Sequence, residues 1–308
     1  MSLLEKPNLL SLLILGFVVL VAGGYGVVTY TQRPEMEHYA VDPEYGFGFD
    51  FDRPDRVVTL PKDLQEVSGL APWRGEDEVL AIQDEDGEIF VVNANSGNVT
   101  ENFKFGKDRD YEGIARLYDS LYVLERDGDV HQVTYREGVD ELDSKKLETD
   151  FIYRNDTEGI CYDPATGHLL IVPKEQELNP QVGDDARRGI YAFDLTTREL
   201  TPQPAFFVDE YAIGNAVYGT RKRYNIKPSG VAVDPVTEHI YLLASVGKIM
   251  VVIDRESEIK HIELLREKVF GQPEGITFNA SGDLYISSEG KGGQAILAVY
   301  RRQNSEQE

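Results

Sequence analysis

The sequence predicts an all-β body, a five-bladed β-propeller closed on itself, behind one apolar amino-terminal span. Three observations predict it. From about residue 56 onward, short β-branched and aromatic runs alternate with turn signals, with no long helical period. One small motif recurs five times at roughly blade-length spacing. The two ends of the body each hold part of one further blade.

The motif opens a strand each time: EVSGLA at Glu66–Ala71, DYEGIA at Asp110–Ala115, DTEGIC at Asp156–Cys161, KPSGVA at Lys227–Ala232 and QPEGIT at Gln272–Thr277. Its glycines, Gly69, Gly113, Gly159, Gly230 and Gly275, are spaced 44, 46, 71 and 45 residues apart. A four-stranded blade takes roughly 40–50 residues. The 71-residue step exceeds one blade by 26 residues or so and falls short of two. Assigning the surplus to loops around Asn179–Arg188 and Asp209–Tyr224 gives five blades, with six as the alternative. The last copy leaves only 27 residues up to Arg302, and 13 residues separate Arg56 from Gly69. The orphan strand near Arg56 is therefore expected to complete the last blade and close the ring, leaving no long open edge.

Ahead of the body, Leu9–Tyr30 is a run of 22 residues without charge. As a helix it reaches about 33 Å, enough to cross a hydrocarbon core. A cleaved signal normally has a shorter apolar stretch of roughly 7–15 residues. Cleavage at Ala22-Gly23-Gly24 stays open, as does a buried helix of the soluble fold. Residues 1–32 are thus expected as a membrane anchor or uncleaved signal, 33–55 as an unpatterned linker, 56–302 as the propeller and 303–308 as a polar tail. Lys6 precedes the span, whereas Arg33 follows it beside Glu35 and Glu37. That asymmetry places the amino terminus inside and the propeller beyond the inner (cytoplasmic) membrane, facing the periplasm or exterior.

Charge narrows the partners. With 54 acidic against 31 basic side chains the net charge is −23, which excludes sequence-independent nucleic-acid binding and polybasic docking on anionic lipid. The membrane is met only through the amino-terminal helix, and a monomeric propeller is expected. One cysteine, Cys161, excludes an intrachain disulfide framework and a Cys-based zinc cluster. No nucleophile elbow and no phosphate-binding glycine loop is present, and the five histidines fall outside the repeated motifs.

In a propeller the innermost strands line the central channel, so equivalent motif positions form a ring. That ring holds Glu112, Glu158 and Glu274, with Ser68 and Ser229 at the other two blades. The adjacent glycines permit either close backbone approach or positive φ. The end of each second strand lies beside the start of the first, which brings Asp84, Glu125, Glu175, Ser245 and Glu289 to the same mouth. Facing carboxylates cannot all stay ionised and unaccompanied. Protons resolve this, or a cation does, or each Glu simply bonds nearby amides. Oxygen-only donors favour a hard ion, and Ca²⁺ tolerates irregular geometry better than Mg²⁺. Asp84–Gly87 and Asp127–Asp129 look superficially like calcium loops, but hairpin turns explain them without the twelve-residue spacing.

This motif series behind one apolar span resembles the SdiA-regulated (YjiK-like) bacterial family, distant kin of NHL-repeat propellers. The resemblance covers roughly residues 56–302. It implies a five-bladed propeller outside the cytoplasmic membrane with a calcium site, carrying Glu112, Glu158 and Glu274 as acidic members of the motif. The long third blade and Ser245-Val246 depart from the pattern. Two function classes follow: a non-catalytic module binding a small molecule or protein partner, or a metal-dependent hydrolase of lactone or ester type working through the channel-mouth ion. In the second, Glu125, Glu175 or Asp84 would serve as base if its pKa were raised.

Overall fold

The computed structural model describes residues 17–18, 37–179, 186–290 and 292–303. Five antiparallel sheets build the ring, one for each motif copy. Blade 1 comprises β3 (Val67–Pro72), β4 (Glu78–Gln83), β5 (Glu88–Asn93) and β6 (Val99–Lys104). Blade 2 comprises β7 (Tyr111–Leu117), β8 (Ser120–Glu125), β9 (Val130–Thr134) and β10 (Ser144–Leu147). In blade 3, β11 (Thr157–Asp163), β12 (His168–Pro173) and β13 (Arg187–Asp194) are followed by a split outer edge, β14 (Glu199–Leu200) and β15 (Phe206–Asp209). Blade 4 runs β16 (Lys227–Val233), β17 (Ile240–Val246), β18 (Ile249–Ile253) and β19 (Ile259–Leu264). Blade 5 contains β20 (Pro273–Phe278), β21 (Leu284–Ser288) and β22 (Ile296–Tyr300).

The ring closes as its two incomplete ends require. Strand β2 (Arg56–Thr59) pairs antiparallel with β22, Arg56 opposite Val299 and Thr59 opposite Ile296, and so becomes the outer strand of blade 5. The surplus of the third interval contains a helix, α1 (Glu210–Tyr218), where loop was expected. Asp209 caps it, its carboxylate accepting from the amides of Tyr211 and Ala212, and Gly219 at φ 65° ends it. Nine residues hold too short a period to stand out from the surrounding loop. Glu210 is fully buried there and is paired with Arg188 and Arg223.

Residues 37–55 differ from the unpatterned linker expected of them. Strand β1 (His38–Ala40) adds a fifth strand to blade 4 by pairing with β19. Phe47 stacks on His261 with centroids 3.7 Å apart, Phe51 stacks on Tyr300 at 4.3 Å, and Phe49 is buried against Tyr241 and Phe278. The aromatic spacing of Tyr45–Phe51 is the pattern of a strap whose alternate rings cover a sheet face. The span Leu9–Tyr30 lies outside the described residues except for Phe17–Val18, and residues 304–308 of the tail lie outside as well. Among the described residues no helix is long and apolar enough to cross a membrane.

Five buried apolar clusters fill the spaces between neighbouring blades, for example Trp73, Leu80, Ile89, Phe103, Ile114 and Leu121 between blades 1 and 2. Ion pairs fasten the rim from blade to blade. Arg255 grips Asp163 through two hydrogen bonds of 2.7 and 2.8 Å, Arg302 reaches Asp234, and Arg301 bridges Asp283 and Asp77.

At the axis the blades meet on glycine. A Cβ on Gly69 would stand 2.8 Å from the Cα of Gly113, one on Gly159 2.8 Å from the Cα of Gly230, and one on Gly230 2.6 Å from the carbonyl oxygen of Glu274. None of these glycines has positive φ. The motif therefore needs glycine for space and not for an unusual backbone. G69A is expected to destabilise by about 1–3 kcal/mol in a denaturant melt, because the obstructing atoms are backbone. G46A, where a Cβ meets nothing within 4 Å, is expected to stay within about 0.5 kcal/mol of the parent.

Candidate functional site: the polar mouth of the channel

Each inner strand breaks register at the motif. The pairing slips between Val67 and Gly69, Tyr111 and Gly113, Thr157 and Gly159, Pro228 and Gly230, and Pro273 and Ile276. Each irregularity contains the Ser or Glu of the motif, together with Gly275 in blade 5. A bulge re-aims a side chain, and here it sends five of them to one place. Ser68, Glu112, Glu158, Ser229 and Glu274 line a single cavity of about 10 Å³ on the axis, and the residues after the glycines form its floor. That volume is about one water molecule.

The two serines are committed to backbone. Ser68 Oγ donates to the carbonyl of Tyr111 at 2.8 Å, and Ser229 Oγ to that of Pro273 at 2.8 Å, each stitching its blade to the next. The glutamates differ among themselves. Glu158 accepts from Lys174 Nζ at 2.6 Å. No hydrogen bond reaches the Glu112 carboxylate among the described residues. Burial, followed by the charge of Glu158 and of Asp110, pushes Glu112 up to about 9. Burial also raises Glu274 to about 8, with Glu158 adding to it and Lys174 opposing. In Glu158 burial outweighs the attraction of Lys174 and leaves it at about 7.

The second-strand ends meet this mouth one residue out of phase with expectation at two blades. Val67 pairs with Gln83, Tyr111 with Glu125, Thr157 with Pro173 and Pro273 with Ser288, so the residues that follow are Asp84, Arg126, Lys174 and Glu289. Asp84 and Glu289 stand where the spacing puts them. At blades 2 and 3 the equivalent residues are bases. Arg126 is paired with Asp156 and with Asp110, and Lys174 with Glu158. Glu125, one residue earlier, points the other way into contacts with Arg109 at 3.1 Å, His131 at 2.7 Å and Lys146 at 3.4 Å. Glu175, one residue later, is bound by Lys227. Adjacent residues of a strand face opposite sides, so a slip of one exchanges an acid for a base.

Asp84 is half-buried with Oδ1 unpartnered, and burial together with Glu66, Glu85 and Asp110 lifts it to about 6. Glu125, Asp127 and Asp129 form an acidic cluster of metal-ligating spacing, with one oxygen from each within 4.8 Å of the others. The axial glutamates share a cavity but stand further apart than that. Lys146 lies 2.6 Å from Asp129, so the hairpin cluster already has its counter-charges.

Lys174 went unnoticed in the sequence although it adjoins Glu175. K174M removes the partner of a carboxylate that is only 7% exposed. It is expected to cost about 3 kcal/mol at pH 8. At pH 5, where Glu158 takes a proton, most of that loss should vanish, as read by denaturant melts at the two pH values.

Comparison with other proteins fits this architecture. Among solved structures the chain is similar to glutaminyl cyclase from Myxococcus xanthus, with 14% identity and a TM-score of 0.53 over 82% of this chain and 96% of that one. It is also similar to a luciferin-regenerating enzyme, with 13% identity and a TM-score of 0.50 over 82% and 96% of the two chains. At such identities the likeness is one of fold. No curated protein matches. The family model described as SdiA-regulated matches residues 56–291, from the closing strand through all five copies of the motif. By that match the chain belongs to the SdiA-regulated family.

Proposed function

We propose that this propeller is a non-catalytic binding module, held outside the cytoplasmic membrane by the uncharged run Leu9–Tyr30, whose axial glutamates take up calcium in exchange for protons. One observation carries the ion reading. Three carboxylates line a cavity of about 10 Å³ and one of them is paired with the Lys174 ammonium group, which leaves two negative charges uncompensated if all are ionised. Two protons balance them, and so does one divalent cation. The donors are oxygens only, which suits a hard ion, and glutamate side chains are long enough to draw in around one.

The proton alternative fixes the pH dependence. Glu112 has its folded-state pKa raised to about 9 from an ordinary 4.5, so the native state retains a proton that the unfolded chain has lost. Without an ion this group's contribution is complete below about pH 4.5 and is lost as pH rises through 9. Calcium must displace such protons, so its affinity rises over the same range.

The hydrolase reading takes support at this end of the channel from Asp84 alone, whose unpartnered carboxylate is raised to about 6. A cavity of about 10 Å³ leaves no room for a substrate beside an ion, and Glu125 and Glu175 are engaged by bases. The chain is therefore read as a binder.

Calorimetry of the full chain is the test. At pH 8, calcium at a hundredfold excess over its Kd is expected to add about 2.7 kcal/mol, with chelator reversing it. The increment should be much smaller at pH 6 and should disappear in E112Q/E158Q/E274Q. An increment that survives that triple variant but is lost in D127N/D129N would move the ion to the hairpin cluster and end the axial assignment.

A further inference from the structure

The opposite end of the channel, where the five inner strands finish, holds a larger space. A cavity of about 260 Å³ opens there between Leu70–Trp73, Ile114–Arg116, Cys161–Tyr162, Ala232–Val233 and Thr277–Ala280, so every blade contributes a wall. The walls are mainly apolar, and no carboxylate is among the lining residues.

Arg116 is the one charged residue in that wall. Its Nη1 donates to the carbonyl of Trp73 at 2.7 Å and its Nε to that of Tyr118 at 2.7 Å. Its guanidinium lies 4.9 Å from the centre of the Trp73 ring. Elsewhere on the rim Arg255, Arg301 and Arg302 fasten blades through aspartates. Arg116 fastens blade 2 to blade 1 through carbonyl oxygens alone, which hold its position without cancelling its charge. The nearby acid Asp119 is taken by Arg74 at 2.9 Å, and Arg74 itself lies 5.1 Å from the same Trp73 ring. Two guanidinium groups thus share one carboxylate beside the cavity. Burial and then the proximity of Arg74 hold the Arg116 guanidinium below its ordinary value, with Asp119 opposing.

A fixed positive charge in a mainly apolar concave wall is the pattern of a site for an anion with an apolar body. A planar monocarboxylate suits it best, because Nη2 remains available for one end-on, charge-assisted hydrogen bond. We propose that this cavity binds a small monocarboxylate with an aromatic or branched aliphatic body, its carboxylate on Arg116 and its body against Trp73. The proposal deepens the reading of the chain as a binding module but does not depend on the ion at the other end.

Trp73 is the single tryptophan of the chain, so its fluorescence reports on this cavity alone. The full-length chain is titrated with phenylacetate, 3-phenylpropanoate and 4-methylpentanoate, and with the amide of each, in the presence of chelator. At least one acid is expected to give a saturable change, with its amide binding tenfold or more weakly. R116Q should abolish that discrimination, and R116K should restore part of it. Failure of all three acids to saturate, equal binding of acid and amide, or undiminished discrimination in R116Q each overturns the proposal. The acid–amide comparison on the parent chain decides the matter even if R116Q does not fold. Because chelator is present throughout, failure here leaves the calcium reading intact, and loss of the calcium increment leaves this one intact.

Discussion

The inner strands touch at Gly69, Gly113, Gly159, Gly230 and Gly275 so closely that a methyl group on Gly69, Gly159 or Gly230 would stand 2.6–2.8 Å from a neighbouring blade's backbone. Much else in the molecule follows from that contact. Five sheets can converge on an axis without a pore only if the converging residues have no side chains. Once they do converge, the residue before each glycine has no space in the regular ladder and is bulged out of it. The bulge then dictates where Glu112, Glu158 and Glu274 go. The same packing need explains why the motif pairs glycine with a polar residue on one side and a branched apolar residue on the other.

Charge at the polar mouth is settled by position and not by composition. A chain with net charge −23 has ample acid for a purely acidic ring. Instead Arg126, Lys174 and Lys227 are interleaved with Asp110, Asp156, Glu158 and Glu175. Each pair removes charge locally, so the uncompensated groups are few. They include Glu112 and Glu274 on the axis and Asp84 beside them, and burial raises all three. The two serines contribute no charge, and their hydroxyl protons are spent on the carbonyls of the next blade.

Much of the ring was legible in the sequence because repetition multiplies a weak signal. One Glu-Gly-Ile step means little, but five at blade spacing fix the number of sheets, and the short last unit betrays the closing strand at Arg56. Phase was harder to read. Spacing locates the end of a second strand to within a residue, yet side chains alternate faces at every residue. An error of one therefore gave Glu125 the place that Arg126 holds, and gave Glu175 the position that Lys174 holds beside Glu158. The helix Glu210–Tyr218 and the strap from His38 to Phe51 were missed because each is short and finds its partners only in three dimensions. The apolar-end cavity left no linear trace either. Its walls come from five distant segments, and Leu70, Trp73 or Phe278 reads as core until the ring is assembled.

The two ends of the channel are chemically separate because something seals one from the other. Leu70, Ile114, Ile160, Val231 and Ile276, the residues directly after the five glycines, are all buried and together floor the polar cavity. An apolar layer beneath the glutamates contributes to the desolvation that lifts their pKa values. A wider axis would admit water, lower those carboxylates towards ordinary values and remove the competition between proton and cation. The glycine contacts that close the ring therefore also set the electrostatics of its polar mouth. They do so by letting five apolar side chains meet directly beneath it.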